Sequence, residues 1–317
     1  MDTRHLVDPE LLPALALFPP FDIAEPGLEN LRSMMDGLAP TPDSLACDDI
    51  ALQRITVPAS PSGPELGIIL HRPVGRTGSL PLYFHIHGGG FVLGSAIMSS
   101  PANIVLAREV GCVVASVDYR LSPEVTGQQP VEDCYRALCW LAGNAQSHGI
   151  DPSRIVIGGE SAGGGLAASL ALMVRDRGTI ALAMQMLICP MLDDRTQGDH
   201  PHCGEFVWTA EANAAAWALR IGSEDVVQDR RGYIAAARAD DLHGVAPAYI
   251  AVGSLDLFLE EDIAYAQRLA RAGVPVDLHV YAGGYHGFEL AADASATRRT
   301  MEDRFSVLRR TFQGEGS

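Results

Sequence analysis

The chain has 317 residues, 47% of them hydrophobic and 20% charged, which excludes wholesale disorder and supplies enough apolar material for a large core. It has 39 acidic and 23 basic residues and a formal net charge of −16, so nucleic acid and anionic membrane surfaces are poor partners. The six cysteines form no CxxC pair, which favours reduced thiols and a cytoplasmic location.

Neither of the two most apolar stretches predicts export or membrane insertion. Residues 11–21 follow two acidic side chains and contain three prolines, unlike a secretory signal. Residues 180–192 are fewer than the roughly 20 that a bilayer-spanning helix needs. We therefore expect no membrane insertion.

Eight short β-rich runs alternate with longer helical patterns. The predicted strands cover residues 52–57, 66–71, 82–86, 113–117, 155–157, 186–189, 249–252 and 278–281. The predicted helices cover residues 131–147, 162–177, 260–272 and 294–312. A Pro- and Gly-rich turn makes the first two strands a hairpin, and the later alternation predicts an α/β fold with a mostly parallel, eight-stranded sheet and helices on both faces.

Two stretches do not follow this alternation, residues 1–48 and 193–235. In open α/β sheets the ligand site lies beyond the carboxyl ends of the strands. We expect both stretches to form a helical cap over that site, with residues 49–192 and 236–317 as the core. The alternative is a surface decoration remote from the site.

A nucleophile motif follows the fifth predicted strand and runs into a predicted helix. Residues 159–163 read Gly-Glu-Ser-Ala-Gly, the G-x-S-x-G pattern whose sharp turn exposes a serine hydroxyl above the sheet. Ser161 is therefore the predicted nucleophile. A phosphate-binding turn is the alternative, although the P-loop lysine and G-x-G-x-x-G are both missing.

Three glycines after the third predicted strand leave backbone N–H groups uncovered. Gly88, Gly89 and Gly90 follow His87, and such donors can face the oxygen that becomes negative when a carbonyl is attacked. They are the predicted oxyanion hole, together with the N–H of Ala162. A plain flexible loop is the alternative for this motif alone, but the two motifs lie about 70 residues apart in the order that an α/β hydrolase needs.

A serine nucleophile needs a base, and the base needs an acid that orients it. His286 lies in a Gly-rich loop just past the last predicted strand, whereas His279 lies inside that strand. His286 is the predicted base, and Asp256, just after the strand at 249–252, is the predicted acid. Three acidic residues that follow are expected to be solvated in the first turn of the next helix: Glu260, Glu261 and Asp262.

Other histidines and aromatic residues carry less information. His85, His87 and the His-Pro-His-Cys run at 200–203 are interpreted as structural, so no metal and no cofactor is expected. Five aromatic residues line either a substrate pocket or simply the core, namely Phe18, Phe21, Phe206, Trp208 and Trp217.

Together these residues resemble the hormone-sensitive-lipase-like branch of the α/β hydrolases, bacterial esterases with an HGGG loop. Residues 118–124, D-Y-R-L-S-P-E, are similar to the D-Y-R-L-A-P-E block of that family, and residues 285–288 resemble its H-G-F ending. The resemblance implies an α/β-hydrolase fold with a cap and, independently of chain order, the same catalytic and oxyanion residues: Ser161, Asp256, His286, Gly88, Gly89, Gly90 and Ala162.

The sequence departs from the family pattern at three places. Glu160 replaces the usual aspartate of the elbow, residues 256–261 lack the family's Pro and Arg, and Ala235-Ala236 stands where Ser-Pro is common. These departures bear on substrate range and local support rather than on the triad.

The expected function is hydrolysis of carboxylic esters with short or medium, uncharged acyl chains, through an acyl-enzyme and without metal or cofactor. The expected partner is a small-molecule ester, and a homodimer is compatible with the sequence. Two alternatives stay open. One is an amide or carbamate hydrolase with the same residues, and the other is a small-molecule receptor of this fold, as in the plant gibberellin receptors, which lack the catalytic histidine.

Overall fold

The computed structural model describes residues 3–18, 21–23, 27–198, 200–222 and 231–314. Parts of both predicted cap stretches, among them residues 24–26 and 223–230, lie outside the described residues. The strands are β1 Ile50–Val57, β2 Leu66–Pro73, β3 Leu80–Ile86, β4 Val113–Asp118, β5 Ile150–Glu160, β6 Met184–Ile188, β7 Ala248–Gly253 and β8 Val276–Tyr281. The helices are α1 Gly27–Leu38, α2 Ser100–Val110, α3 Gln129–Gly143, α4 Ala162–Arg177, α5 Ala210–Ile221, α6 Arg231–Ile234, α7 Leu259–Arg271 and α8 Ser295–Gln313.

All eight strands join one sheet in the order β1-β2-β4-β3-β5-β6-β7-β8. The β1–β2 and β2–β4 pairs are antiparallel, and the remaining pairs are parallel. The predicted α/β fold with a mostly parallel, eight-stranded sheet is confirmed. Each predicted strand lies within an observed one, apart from residue 189 at the end of β6.

Helix α2 was not predicted, yet it makes the crossover between β3 and the parallel strand β4. Its ends carry ordinary helix signals, since Pro101 lies in its first turn and Gly111 ends it with φ 75°. Its pattern is weakly amphipathic because both Ser100 and Asn103 are buried, so hydrophobic periodicity did not reveal it.

The core lies on both faces of the sheet. Apolar side chains of α3, α4 and α7 pack in one cluster, including Leu138 and Leu166, and those of α2 and α8 pack in the other, including Ile104 and Leu308. Every residue of β3 is buried. This arrangement places the carboxyl ends of β5, β7 and β8 at one rim of the sheet, with β6 between β5 and β7.

Candidate active site

Ser161 occupies the turn between β5 and α4. Its backbone has φ 56° and ψ −122°, a region that residues other than glycine rarely adopt. A Cβ atom added at Gly159 or Gly163 would lie 2.1 or 2.0 Å from the carbonyl oxygen of Ile86. Glycine is therefore required on both sides of Ser161, because the turn presses directly against the end of β3.

The structure brings the three predicted triad residues together. His286 Nε2 lies 2.9 Å from Ser161 Oγ, and His286 Nδ1 lies 2.8 Å from Asp256 Oδ2. The second carboxylate oxygen of Asp256 accepts the backbone N–H of Phe258 at 3.0 Å. Asp256 is 1% exposed, His286 7% and Ser161 9%, so the hydrogen bonds are shielded from water while the serine keeps some access.

The surroundings of His286 favour its protonated form. Burial lowers the pKa of the imidazole, but the charge and hydrogen bond of Asp256 outweigh that effect, and Glu289 adds to it, so the pKa lies above its ordinary 6.5. The ring of Phe258 stands edge-on to the imidazole, with the ring centroids 5.2 Å apart. His286 is thus fixed in orientation and made more basic, as a general base requires.

The glycine loop lies beside the serine turn. A Cβ on Gly88 would be 2.9 Å from the Glu160 carbonyl oxygen and 3.5 Å from Ser161 Cβ. Gly89 and Gly90 have φ 113° and 60°, and neither N–H donates to another backbone carbonyl in the part of the chain described. These N–H groups, and that of Ala162 at the first position of α4, remain available to an incoming oxygen.

Glu160 binds two cationic or potentially cationic side chains beneath the turn. Its carboxylate lies 2.9 Å from His85 Nε2 and 2.8 Å from a nitrogen of Arg304. Burial raises the pKa of Glu160, but these partners prevail and bring it to about 2. His85 also binds the Ser116 hydroxyl at 2.8 Å. Glu160, which replaces the aspartate usual in the family, is therefore held by specific partners. One of them, Arg304 on α8, carries no local sequence motif that would have predicted this contact.

The prediction that Glu261 and Asp262 are solvated is wrong. Glu261 is 8% exposed and Asp262 is fully buried, because the first turn of α7 packs against the chain that follows β6. Glu261 accepts the backbone N–H of Leu192 and the hydroxyl of Thr196. Burial raises the pKa of Glu261 to about 8 and that of Asp262 well above its ordinary value. Glu260 is exposed, as predicted.

His87, beside the glycine loop, is a buried residue of the core. The His87 ring stacks on Tyr119 with centroids 4.3 Å apart, and burial lowers its pKa to about 4. In the described ranges, the one group of side chains with clustered metal-ligand atoms is Cys189, Asp256 and His286. Two members of that group are already joined to each other, and His200 is not part of it.

The aromatic residues divide between core and pocket. Trp217 is buried against Phe91, with ring centroids 5.0 Å apart, whereas Trp208 lies 6.3 Å from the His286 ring. Phe18, Phe21 and Phe206 line a cavity of about 760 Å³. Phe21 of the cavity wall packs on Trp208, with ring centroids 5.8 Å apart, so the wall contacts the ring that lies beside His286.

A membrane-spanning segment is not found among the helices of the described residues, since none combines the necessary length with sufficient apolarity.

Comparisons with known proteins identify the family and the fold. A family model described as the α/β hydrolase fold matches residues 83–290. Esterase LipI of Mycobacterium tuberculosis is 31% identical over 311 residues, 95% of this chain and 95% of that protein. An arylesterase of Saccharolobus solfataricus is 31% identical over 71% of this chain and 73% of its own length. Among solved structures, a bacterial heroin esterase is 38% identical, matches 98% of this chain and 99% of its own, and has a TM-score of 0.88. The predicted family resemblance is thereby confirmed, and this chain belongs to the α/β-hydrolase family.

Proposed function

We propose that this chain is a carboxylesterase that works through an acyl-enzyme on Ser161. The observation that carries the proposal is the continuous hydrogen-bonded series from Ser161 Oγ through His286 to Asp256, with donor–acceptor distances of 2.9 and 2.8 Å. A buried serine, imidazole and carboxylate in this order form the triad of acyl-transfer enzymes. The esterase names of the relatives support the same reaction.

In the first half of the reaction, Ser161 Oγ attacks the ester carbonyl carbon while His286 Nε2 takes the hydroxyl proton. The carbonyl oxygen becomes negative and accepts hydrogen bonds from the N–H groups of the oxyanion residues, for which we propose Gly88, Gly89, Gly90 and Ala162. The bond to the alcohol oxygen then breaks, and His286 passes its proton to that oxygen. The acyl group stays on Ser161.

In the second half, a water molecule attacks the acyl carbon and gives a proton to His286. The bond to Ser161 Oγ breaks, Ser161 regains the proton, and the carboxylic acid leaves. Asp256 keeps the Nδ1 proton of His286 in place and stabilises the imidazolium in both halves.

We propose esters with short or medium, uncharged acyl chains as substrates. The cavity beside Trp208 has about 760 Å³ and mixes phenylalanine rings with charged side chains such as Glu205 and Glu211. A volume of this size encloses a small molecule. We further propose that residues 1–48 and 193–235 form the cap, because both contribute to the walls of this cavity.

The test is Ser161→Ala, assayed with p-nitrophenyl esters of increasing acyl length. We expect kcat/KM to fall by about 10⁴-fold or more. Ser169→Ala is the matched control, since this serine is also buried on α4 and its hydroxyl has no partner among the described residues. Activity that persists in Ser161→Ala would refute the acyl-enzyme, and a preference for matched amides would favour the amide-hydrolase alternative.

We also propose a homodimer joined along β8, in a cytoplasmic setting. β8 is an edge strand, and Leu278 and Val280 on one of its faces are 37% and 46% exposed. Exposed apolar edges favour strand pairing between copies. Sedimentation of the wild type as a monomer contradicts the dimer, and an unchanged dimer in Val280→Lys contradicts its proposed interface along β8. The cytoplasmic setting is supported by the six free thiols and is tested by cell fractionation.

A further inference from the structure

The guanidinium of Arg32, on helix α1, binds two backbone carbonyls and one carboxylate at the back of the glycine loop. Its Nε donates to the Val92 carbonyl at 2.8 Å, and Nη2 donates to the Ser122 carbonyl at 2.7 Å. The two terminal nitrogens also bind both oxygens of Glu124, at 2.5 and 3.1 Å. The catalytic mechanism described above does not use this side chain.

Val92 belongs to the turn that carries the proposed oxyanion donors. The Gly89 carbonyl accepts the N–H groups of Val92 and Leu93, at 3.0 and 2.8 Å, which closes residues 89–93 into a single turn. Both Phe91 and Val92 are almost fully buried. A shift of the Val92 carbonyl therefore rotates the neighbouring peptide planes, including the one that ends in the Gly90 N–H.

The same turn is held from a second side through Ser122. The N–H of Ser122 donates to the Phe91 carbonyl at 2.9 Å, and the Ser122 carbonyl is the second backbone acceptor of Arg32. Arg32 thus binds the turn directly at the Val92 carbonyl, and it binds it indirectly at Phe91 through Ser122. Phe91 needs such support, because its φ of 67° is unfavourable for a residue with a side chain and persists only where the surroundings impose it.

An arginine suits this position better than a lysine does. Its planar group donates in several fixed directions at once, whereas a lysine ammonium is a single point of charge on a flexible stem. If the guanidinium is removed, the buried Val92 carbonyl loses its partner, which destabilises the observed conformation of the turn.

We infer that Arg32 is a positioning residue for the oxyanion hole, and that it acts through the Val92 carbonyl and Ser122. Helix α1, which belongs to the proposed cap, then contributes to catalysis. The inference rests on the proposed function, since the glycine N–H groups matter only if an oxyanion forms. Oxyanion donors stabilise the transition state more than the bound substrate. The loss therefore falls on kcat and leaves KM nearly unchanged.

The experiment compares Arg32→Ala, Arg32→Lys and a matched control, Arg72→Ala. Arg72 likewise binds backbone carbonyls, those of Gly78, His148 and Gly149. It lies on β2, and among the described residues none of these hydrogen bonds reaches the glycine loop. We expect Arg32→Ala to lower kcat by about 10- to 100-fold with KM within threefold, less than the loss of a whole oxyanion donor. Arg32→Lys should recover part of kcat, and Arg72→Ala should leave kcat unchanged.

A second readout is inhibition by a trifluoromethyl ketone, whose adduct with the serine places an oxyanion in the hole. Its affinity should fall in Arg32→Ala by the same factor as kcat/KM. A kcat within twofold of wild type, a loss confined to KM, or an equal loss in Arg72→Ala overturns the inference. If Ser161→Ala abolishes activity while Arg32→Ala does not change kcat, only the positioning role fails. If Ser161→Ala stays active, the proposed function itself fails.

Discussion

The backbone of Ser161 is held in its rarely adopted conformation by three hydrogen bonds. Its N–H donates to Ile188, and its carbonyl accepts the N–H groups of Gly165 and Met191. Such a conformation costs on the order of 1–3 kcal/mol, which the surrounding fold has to supply. The strained conformation presents the hydroxyl to His286. The backbone at this position therefore lowers the stability of the fold while it favours activity.

Replacing Ser161 should separate these two demands. Glycine adopts positive φ readily, so we expect the free energy of unfolding of Ser161→Gly to exceed that of Ser161→Ala by about 1 kcal/mol, with both variants inactive. Urea denaturation of the two proteins measures the difference. Equal stabilities would show that the turn stores no strain.

In the proposed mechanism, the pKa of His286 sets the acid limb of the activity profile. The base must be neutral to take the serine proton, so kcat/KM should fall as the pH drops through the pKa of His286. Since that pKa lies above 6.5, we expect the midpoint above pH 6.5. Glu289→Gln should move the midpoint down, because Glu289 favours the protonated imidazole. A midpoint below 6.5 in the wild type would contradict this electrostatic description.

At the level of elements, the site depends on how closely α4 approaches β3. A Cβ on Gly163 would lie 2.0 Å from the Ile86 carbonyl oxygen, and neither backbone can give way without moving the whole helix. We expect Gly163→Ala to reduce the free energy of unfolding by about 3 kcal/mol or more.

The control for Gly163→Ala is Gly143→Ala, at the last residue of α3, where a Cβ meets nothing within 4 Å. Alanine stabilises helices relative to glycine by up to about 1 kcal/mol, so this variant should be as stable as wild type or slightly more so. Thermal denaturation of both variants tests the contrast. Similar melting temperatures for the two would mean that the contact at Ile86 is unimportant.

The sequence predicted well those elements whose signals are local. The turn at Ser161, the loop at His286 and the strand before Asp256 each carry short motifs, and the structure brings the three side chains together. The supporting side chains carry no such motif. Arg304 lies 144 residues from Glu160, and Arg32 lies 60 residues from Val92, so only the folded chain shows that they meet.

The burial of Glu261 was mispredicted for a related reason. Its position in the first turn of α7 is typical of solvated carboxylates, which the helix dipole stabilises. Whether the turn faces water depends on where the chain after β6 runs, and that path contains Leu192 and Thr196, which are more than 60 residues away in sequence. Local preference was overridden by tertiary packing, and the same holds for Asp262.

For the whole molecule, Glu261 should make stability fall as the pH rises. Its pKa is about 8 in the folded chain and 4.5 in the reference state, so its contribution is complete below pH 4.5 and is lost as the pH rises through 8. Glu261→Gln stays neutral and keeps the acceptor for Leu192. We expect it to gain on the order of 2–4 kcal/mol over wild type at pH 8 and almost nothing at pH 4.5.

Chemical denaturation of wild type and Glu261→Gln across pH 4.5–9 measures this difference. Glu160→Gln, compared with wild type from pH 4.5 down to pH 2, is a useful comparison with the opposite sign. The pKa of Glu160 is about 2 when folded, so its contribution is present above pH 4.5 and is lost as the pH falls towards 2. A gain for Glu261→Gln that does not grow with pH would show that the carboxyl is ionised in the native protein.

The spacing of the triad along the chain has a consequence for how activity arises during synthesis. Ser161, Asp256 and His286 follow β5, β7 and β8 in turn. Glu160 gains its ion-pair partner Arg304 only when α8 has formed. A ribosome-bound chain that has folded its first two hundred residues therefore holds a serine with no base. With the proposed triad, hydrolysis begins only when β7, β8 and α8 have emerged and docked, so turnover reports only on chains that have folded this far.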